Sequence, residues 1–176
     1  MESIKSDLKR FGSNHFWFTF VKQPCFRYMV LLRINKTISR YNPFILFFRI
    51  WLKNLQTKYG IQIPIHTKIK KGFLINHYGG IIFNQSVVVG DNCNVSQGVT
   101  VGSVSRGKLK GCPTIGDRVW IGPNSVVVGK ITIGNDVLIA PLSYVNFDVP
   151  DKAVVSGNPA KIINYNGSEI YIKNIS

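Results

Sequence analysis

The chain has 176 residues, 45% of them hydrophobic, and a formal charge of +14. That length suits one compact domain with a real core plus an appendage, and the charge draws phosphates, acidic polymers or an anionic surface. Cys25, Cys93 and Cys112 are too few, and odd in number, for a disulfide framework, and they lack metal-ligand spacing. A stapled fold and a zinc module are therefore excluded, no metal is expected, and a reducing compartment fits.

In chain order, the first residues, MESIKSDLKRFGSNHF, lack an apolar signal core with a small-residue cleavage site, so a cytoplasmic chain is expected. Residues 1–60 carry 11 Lys/Arg against 2 acids and 13 of the 21 aromatics. That shift in composition puts a domain boundary near Tyr59-Gly60. Phe26, Val30, Leu31, Ile34 and Ile38 follow helical spacing, and Asn42-Pro43 breaks that helix. A second helix is expected over Phe44–Lys58, with Phe44, Phe47, Phe48, Trp51, Leu52 and Leu55 as its apolar set. The uncharged run Asn42–Phe48 falls far short of the roughly 20 residues of a membrane span. Two readings of 1–60 stay open. Its helices pack on the main domain or on another subunit, or their basic aromatic face also lies peripherally on the inner face of an anionic cell membrane. No recognition helix or aromatic RNA-binding motif points to nucleic acid.

From Ile65 the sequence reads in sixes: IHTKIK, KGFLIN, HYGGII, FNQSVV, VGDNCN, VSQGVT. After a break it resumes as IGDRVW, IGPNSV, VVGKIT, IGNDVL, IAPLSY, VNFDVP. Ile or Val recurs at position one, and a small or β-branched residue at position five. This period belongs to a parallel β-helix, in which three short strands make one triangular coil of about 18 residues. Position one is expected to point inward, which puts His77 in an inward place normally held by Ile or Val. A polar ring there is costly without a purpose. The register fails between Val101 and Ile115, 14 residues apart, so residues 103–113 are expected to leave the coil as a loop, a usual place for binding residues. The expected organisation is a helical segment 1–60, a β-helix 61–163 and a C-terminal tail 164–176.

The stretches GFLINHYGGIIF, VSQGVTVGS, CPTIG, VWIGPNSVVVGKITIG and VSGNPAKII resemble the hexapeptide-repeat acyltransferases, within them the serine acetyltransferase-like group. The resemblance covers residues 61–163. It implies a left-handed parallel β-helix, a homotrimer with active sites between subunits, and acetyl-CoA as donor. It makes His77 the general base that takes the acceptor hydroxyl's proton. Imidazole, with an unperturbed pKa near about 6.5, suits that work, and neither metal nor covalent intermediate is needed. Backbone N–H groups beside the base or near Gly102-Ser103 suit an oxyanion. The positions matching the CoA groove are Gly102, Ser103, Pro123, Pro141 and Lys161, the lysine meeting a phosphate as a point charge.

On the acceptor side Gln62, Asn76 and Tyr78 are the candidates, and here the sequence departs from serine acetyltransferases. Gln62 and Asn76 stand where that group has aspartates, and Gly111-Cys112 stands where it has an Arg-His pair that grips serine. Its large N-terminal helical domain is also replaced by sixty basic, aromatic residues. The expectation is therefore an O-acetyltransferase acting on a sugar, glycan or lipid-linked glycan hydroxyl in surface polysaccharide synthesis. Serine O-acetylation, sugar N-acetylation and an inert scaffold are the alternatives. His15 and His66 are read first as surface residues; Cys112 lies in the loop at a position the resemblance gives to the acceptor, with no base nearby in sequence to make it a reactive thiol; and the loop cations Arg106, Lys108 and Lys110 are either solvated or face CoA phosphates or an acidic glycan.

Overall fold

The computed structural model describes residues 2–175. The expected helical spacing becomes α3 (Pro24–Thr37) and the second expected helix becomes α4 (Ile45–Tyr59). Two further helices, α1 (Glu2–Arg10) and α2 (Phe16–Lys22), precede them. Pro24 sits in the first turn of α3, where its missing N–H costs nothing. Gly60 ends α4 at φ 61°, and a Cβ there would stand 3.1 Å from the Gly80 backbone nitrogen. Both its handedness and its space therefore favour glycine.

α1 buries Ser6, Asp7 and Arg10 rather than an apolar stripe. Asp7 accepts from Arg33 Nε and Nη2 at 2.9 and 3.2 Å and from the Phe73 backbone at 3.0 Å. Arg33 also donates to the carbonyls of Ile69 and Lys70 at 2.7 and 2.5 Å. Arg10 donates to the carbonyls of Gly72 and Asn92 at 3.1 and 3.3 Å and to Asn94 Oδ1. Buried charges such as these persist because they are paired or hydrogen-bonded. Half-buried Lys36 reaches the Thr67 carbonyl. Together the four side chains tie the helices to the backbone of the first coil.

The rest of the chain winds as a left-handed parallel β-helix with three sheets. The first sheet stacks Ile61–Gln62, Ile81–Phe83, Thr100–Gly102, Val126–Val128 and Tyr144–Val145. The second stacks Lys68–Ile69, Val88–Val89, Thr114–Ile115 and Thr132–Ile133. The third stacks Leu74–Ile75, Asn94–Val95, Trp120–Ile121, Leu138–Ile139, Val154–Gly157 and the antiparallel Ala160–Asn164. Inward side chains come in pairs two residues apart, such as Val87 and Val89, Val119 and Ile121, or Val137 and Ile139, all buried. Leu52, Leu55 and Tyr59 of α4 join the same core.

Regular coils pair residues eighteen apart, as in Ile82 with Thr100, Val126 with Tyr144 and Trp120 with Leu138. The first coil pairs at twenty: Ile61 with Ile81, Lys68 with Val88, Leu74 with Asn94. Two extra residues therefore sit at the corner 76–80, which all three of these steps span. The coil spanning 103–113 pairs at twenty-six, as in Thr100 with Val126, and so carries eight extra residues. The early slip corrects the expected register. The inward residues before the corner are Ile63, Ile69 and Ile75, and those after it are Ile81 and Phe83. His77 does not take an inward place; it is exposed at the corner. The cost of burying a polar ring never arises.

Residues beyond the last strand fold back along the third sheet. Tyr171 stacks on Trp120 at 4.4 Å, Ile172 packs with Trp120 and Leu138, and Ser168 Oγ donates to the Arg118 carbonyl at 2.5 Å. Among the described residues, no helix is long and apolar enough to cross a membrane.

Candidate active site

The corner between Leu74–Ile75 and Ile81–Phe83 is built by backbone. Asn76 N–H donates to the Val95 carbonyl at 3.0 Å, and Gly98 N–H donates to the Gly79 carbonyl at 2.7 Å. The same corner recurs down the coil, with Asn124 N–H on the Gln97 carbonyl at 3.0 Å and Leu142 N–H on the Pro123 carbonyl at 2.9 Å. Asn76, His77 and Tyr78 thus stand at the head of a column that continues through Pro123 and Pro141. Gly79 has φ 112°, and a Cβ on it would meet nothing within 4 Å. It supplies a backbone turn that side chains rarely adopt and leaves open space beside His77.

The corner holds its side chains loosely. Among the described residues, no hydrogen bond engages the side chain of Asn76 or His77. Tyr78 is 51% exposed, with its ring 5.2 Å from that of Tyr59. Gln62 is exposed on the neighbouring strand. It lines a cavity of about 510 Å³ with Lys53, Gln56, Thr57, Gly60 and Ile82, and Gly60 in turn abuts Gly79 and Gly80. Lys53, Gln56 and Thr57 had no signal in the sequence as site residues. Only the apolar set of α4 follows a period, and its polar face acquires meaning once the helix is docked.

The residues matched to a CoA groove divide. Gly102 and Ser103 lie at the far end of the first sheet, where Gly102 accepts from Gly129 N–H at 3.3 Å and Ser103 Oγ accepts from Asn84 Nδ2 at 3.3 Å. From the corner residue Gly98 to Gly102 is four residues of extended chain, roughly 13 Å. Lys161 is exposed on the terminal hairpin, opposite Ser156. That hairpin is joined to the coil by Gly157 N–H on Ser143 Oγ at 3.3 Å. Pro123 is half-buried, and Ser103, Pro141 and Lys161 are exposed. They offer accessible backbone and one cation.

The loop 103–113 folds on itself. Val104 and Gly111 exchange both backbone hydrogen bonds at 3.0 Å, and Lys130 N–H reaches the Leu109 carbonyl at 2.9 Å. Arg106, Lys108 and Lys110 are exposed on it. Cys112 packs half-buried against the core, and burial pushes its thiol up. Cys25 and Cys93 are buried and pushed up to about 12. None of the three is poised as a thiolate. His15 and His66 are exposed, away from the corner.

Residues 112–146 match the bacterial transferase hexapeptide family model (six repeats). The chain is 37% identical over 111 residues to the serine acetyltransferase of Bacillus licheniformis, covering 63% of this chain and 51% of that protein. It is 36% identical over 104 residues to that of Helicobacter pylori, covering 59% of this chain and 61% of that protein. The chain thus spans about half to three fifths of the length of these relatives. It is also similar to the crystal structure of Neisseria gonorrhoeae serine acetyltransferase in complex with serine, at 26% identity and TM-score 0.77, covering 93% of this chain and 68% of that one.

These likenesses overturn the expectation of a sugar acceptor in surface polysaccharide synthesis, because the relatives and the structural neighbours are serine acetyltransferases. They also correct the reading of residues 1–60. A superposition over 93% of the chain cannot be confined to the β-helix, so it takes in much of the helical segment.

Proposed function

We propose that the protein transfers an acetyl group from acetyl-CoA to the hydroxyl of serine. The observation that carries the reading is the two-residue slip at 76–80. It turns His77 out of the coil beside an open glycine and leaves its imidazole without a partner among the described residues. A ring nitrogen of His77 takes the proton of the serine hydroxyl as its oxygen bonds to the thioester carbon. The tetrahedral oxyanion is met by backbone N–H groups. Collapse breaks the C–S bond, and the imidazolium returns the proton to the departing CoA thiolate. Products are O-acetylserine and CoA, with no net redox change.

The donor lies along Gly102, Ser103, Pro123, Pro141 and Lys161, and the acceptor beside Gln62, Asn76 and Tyr78. Gly102-Ser103 and the His77 corner stand at opposite ends of the first sheet, which supports a homotrimer in which one subunit's corner faces its neighbour's sheet. Gly111-Cys112 supplies no cation for the serine carboxylate. Lys53, in the cavity with Gln62, takes that part as a point charge.

The test is CoA thiol release from acetyl-CoA and L-serine by the purified full chain, with the product followed by mass spectrometry. O-acetylserine forming in step with thiol is the expected result. Thiol release without O-acetylserine would sink the serine reading. Lys53→Ala is expected to raise the KM for serine roughly tenfold, the worth of one charge-assisted hydrogen bond, and to leave the KM for acetyl-CoA unchanged.

A further inference from the structure

The aromatic side of the helical segment does no work in the acetyl transfer described above. α2 and α4 meet through Phe20 and Trp51, whose rings lie edge to face at 6.1 Å. Trp17 touches Phe20 at 6.2 Å and Phe47 touches Trp51 at 5.6 Å. A continuous band of rings therefore runs across both helices, and its ends point to water. Trp17, Phe18, Phe44, Leu46, Phe47 and Ile50 are each more than half exposed. Isolated exposed apolar residues are ordinary, but a contiguous aromatic band marks a contact surface.

Charge says what kind of contact. Residues 8–90 contain 13 Lys/Arg and no Asp or Glu. Asp7, the last acid before that stretch, is buried against Arg33. Lys22 and Arg49 are exposed on the same two helices as the band. A second copy of the chain would present the same cations and repel. A nucleic acid would use the rings but not Val21, Leu46 and Ile50, aliphatic side chains with no π-face for a base. An anionic bilayer satisfies both features, because rings and aliphatic groups enter the headgroup boundary while the cations stay with the phosphates.

We infer that the α2–α4 face docks the protein on an anionic membrane surface through Trp17 and Phe47, flanked by Lys22 and Arg49. The experiment is flotation of the full chain with phosphatidylcholine–phosphatidylglycerol vesicles and with phosphatidylcholine vesicles alone. Binding is expected on the anionic vesicles and to weaken as salt is raised. Lys22→Gln and Arg49→Gln each lower the partition about fivefold. The pair Trp17→Ser/Phe47→Ser lowers it at least about tenfold, with thermal melting unchanged because both side chains are exposed. Absence of flotation, equal and salt-insensitive binding to both vesicles, or full binding by the Trp17→Ser/Phe47→Ser pair would each overturn the inference. So would a vesicle-free sedimentation run in which that pair breaks a larger assembly into a smaller one, since the face would then join copies of the chain.

Discussion

Two places on the first coil are held in opposite ways. At 67–73 the coil is gripped by charge: Asp7, Arg10, Arg33 and Lys36 of the helices bind its backbone carbonyls and the Phe73 N–H. At 76–80 the coil is held by its own ladder and by the ring contact of Tyr78 with Tyr59, and His77 faces outward without a partner among the described residues. The difference separates assembly from chemistry. Charges that are buried and hydrogen-bonded fix the helices in place. The imidazole of His77, exposed and unengaged among the described residues, is left open to solvent.

His77→Ala is the largest expected effect and the sharpest test of that division. Its kcat should fall about 10²–10⁴-fold, the usual worth of a general base, while stability stays within about 0.5 kcal/mol, as for exposed sites. A large loss of stability would make the corner structural. Asp7→Ala should behave in the reverse sense. It strands Arg33 in a buried site, so unfolding in urea should show a loss of about 3–5 kcal/mol. The folded variant should keep its kcat.

The smallest effect lies with Lys36. Burial, and then the nearby Arg33, push its ammonium down to about 8 from 10.5. Between those pH values the folded chain has lost a proton that the unfolded chain still holds, so this group's contribution to stability rises with pH across the window. Below about 8 that contribution is gone. The difference in unfolding free energy between wild type and Lys36→Met should grow from pH 8 to 10.5. A flat difference would mean that the ammonium is not buried in the way the docked helix implies.

Much of the fold was legible along the chain. The spacing of Val30, Leu31 and Ile34 foretold α3, and Leu52 and Leu55 with their neighbours foretold α4. Repeated Ile and Val every six residues foretold the coil. α1 was not legible because what it buries is Asp7 and Arg10, which a hydrophobic period cannot reveal. α2 was missed because seven residues hold too few turns for a period to show.

His77 was picked out as a candidate but given the wrong setting. Ile81, Ile82 and Phe83 are consecutive apolar residues, so a period of six finds an apolar residue there in either frame, and a slip of two leaves no mark. Only the pairing of Ile61 with Ile81 exposes it. Lys53 beside Gln62 was likewise invisible, since the two belong to different elements.

What the sequence determined by itself is the local chemistry of repetition. Small and β-branched residues at a period of six can bury their side chains in only one way, by stacking coil on coil. What the tertiary structure decided is where that repetition is broken and what it then faces. Register is a relation between strands, and a cavity is a relation between elements. Neither is written in any one segment of the chain.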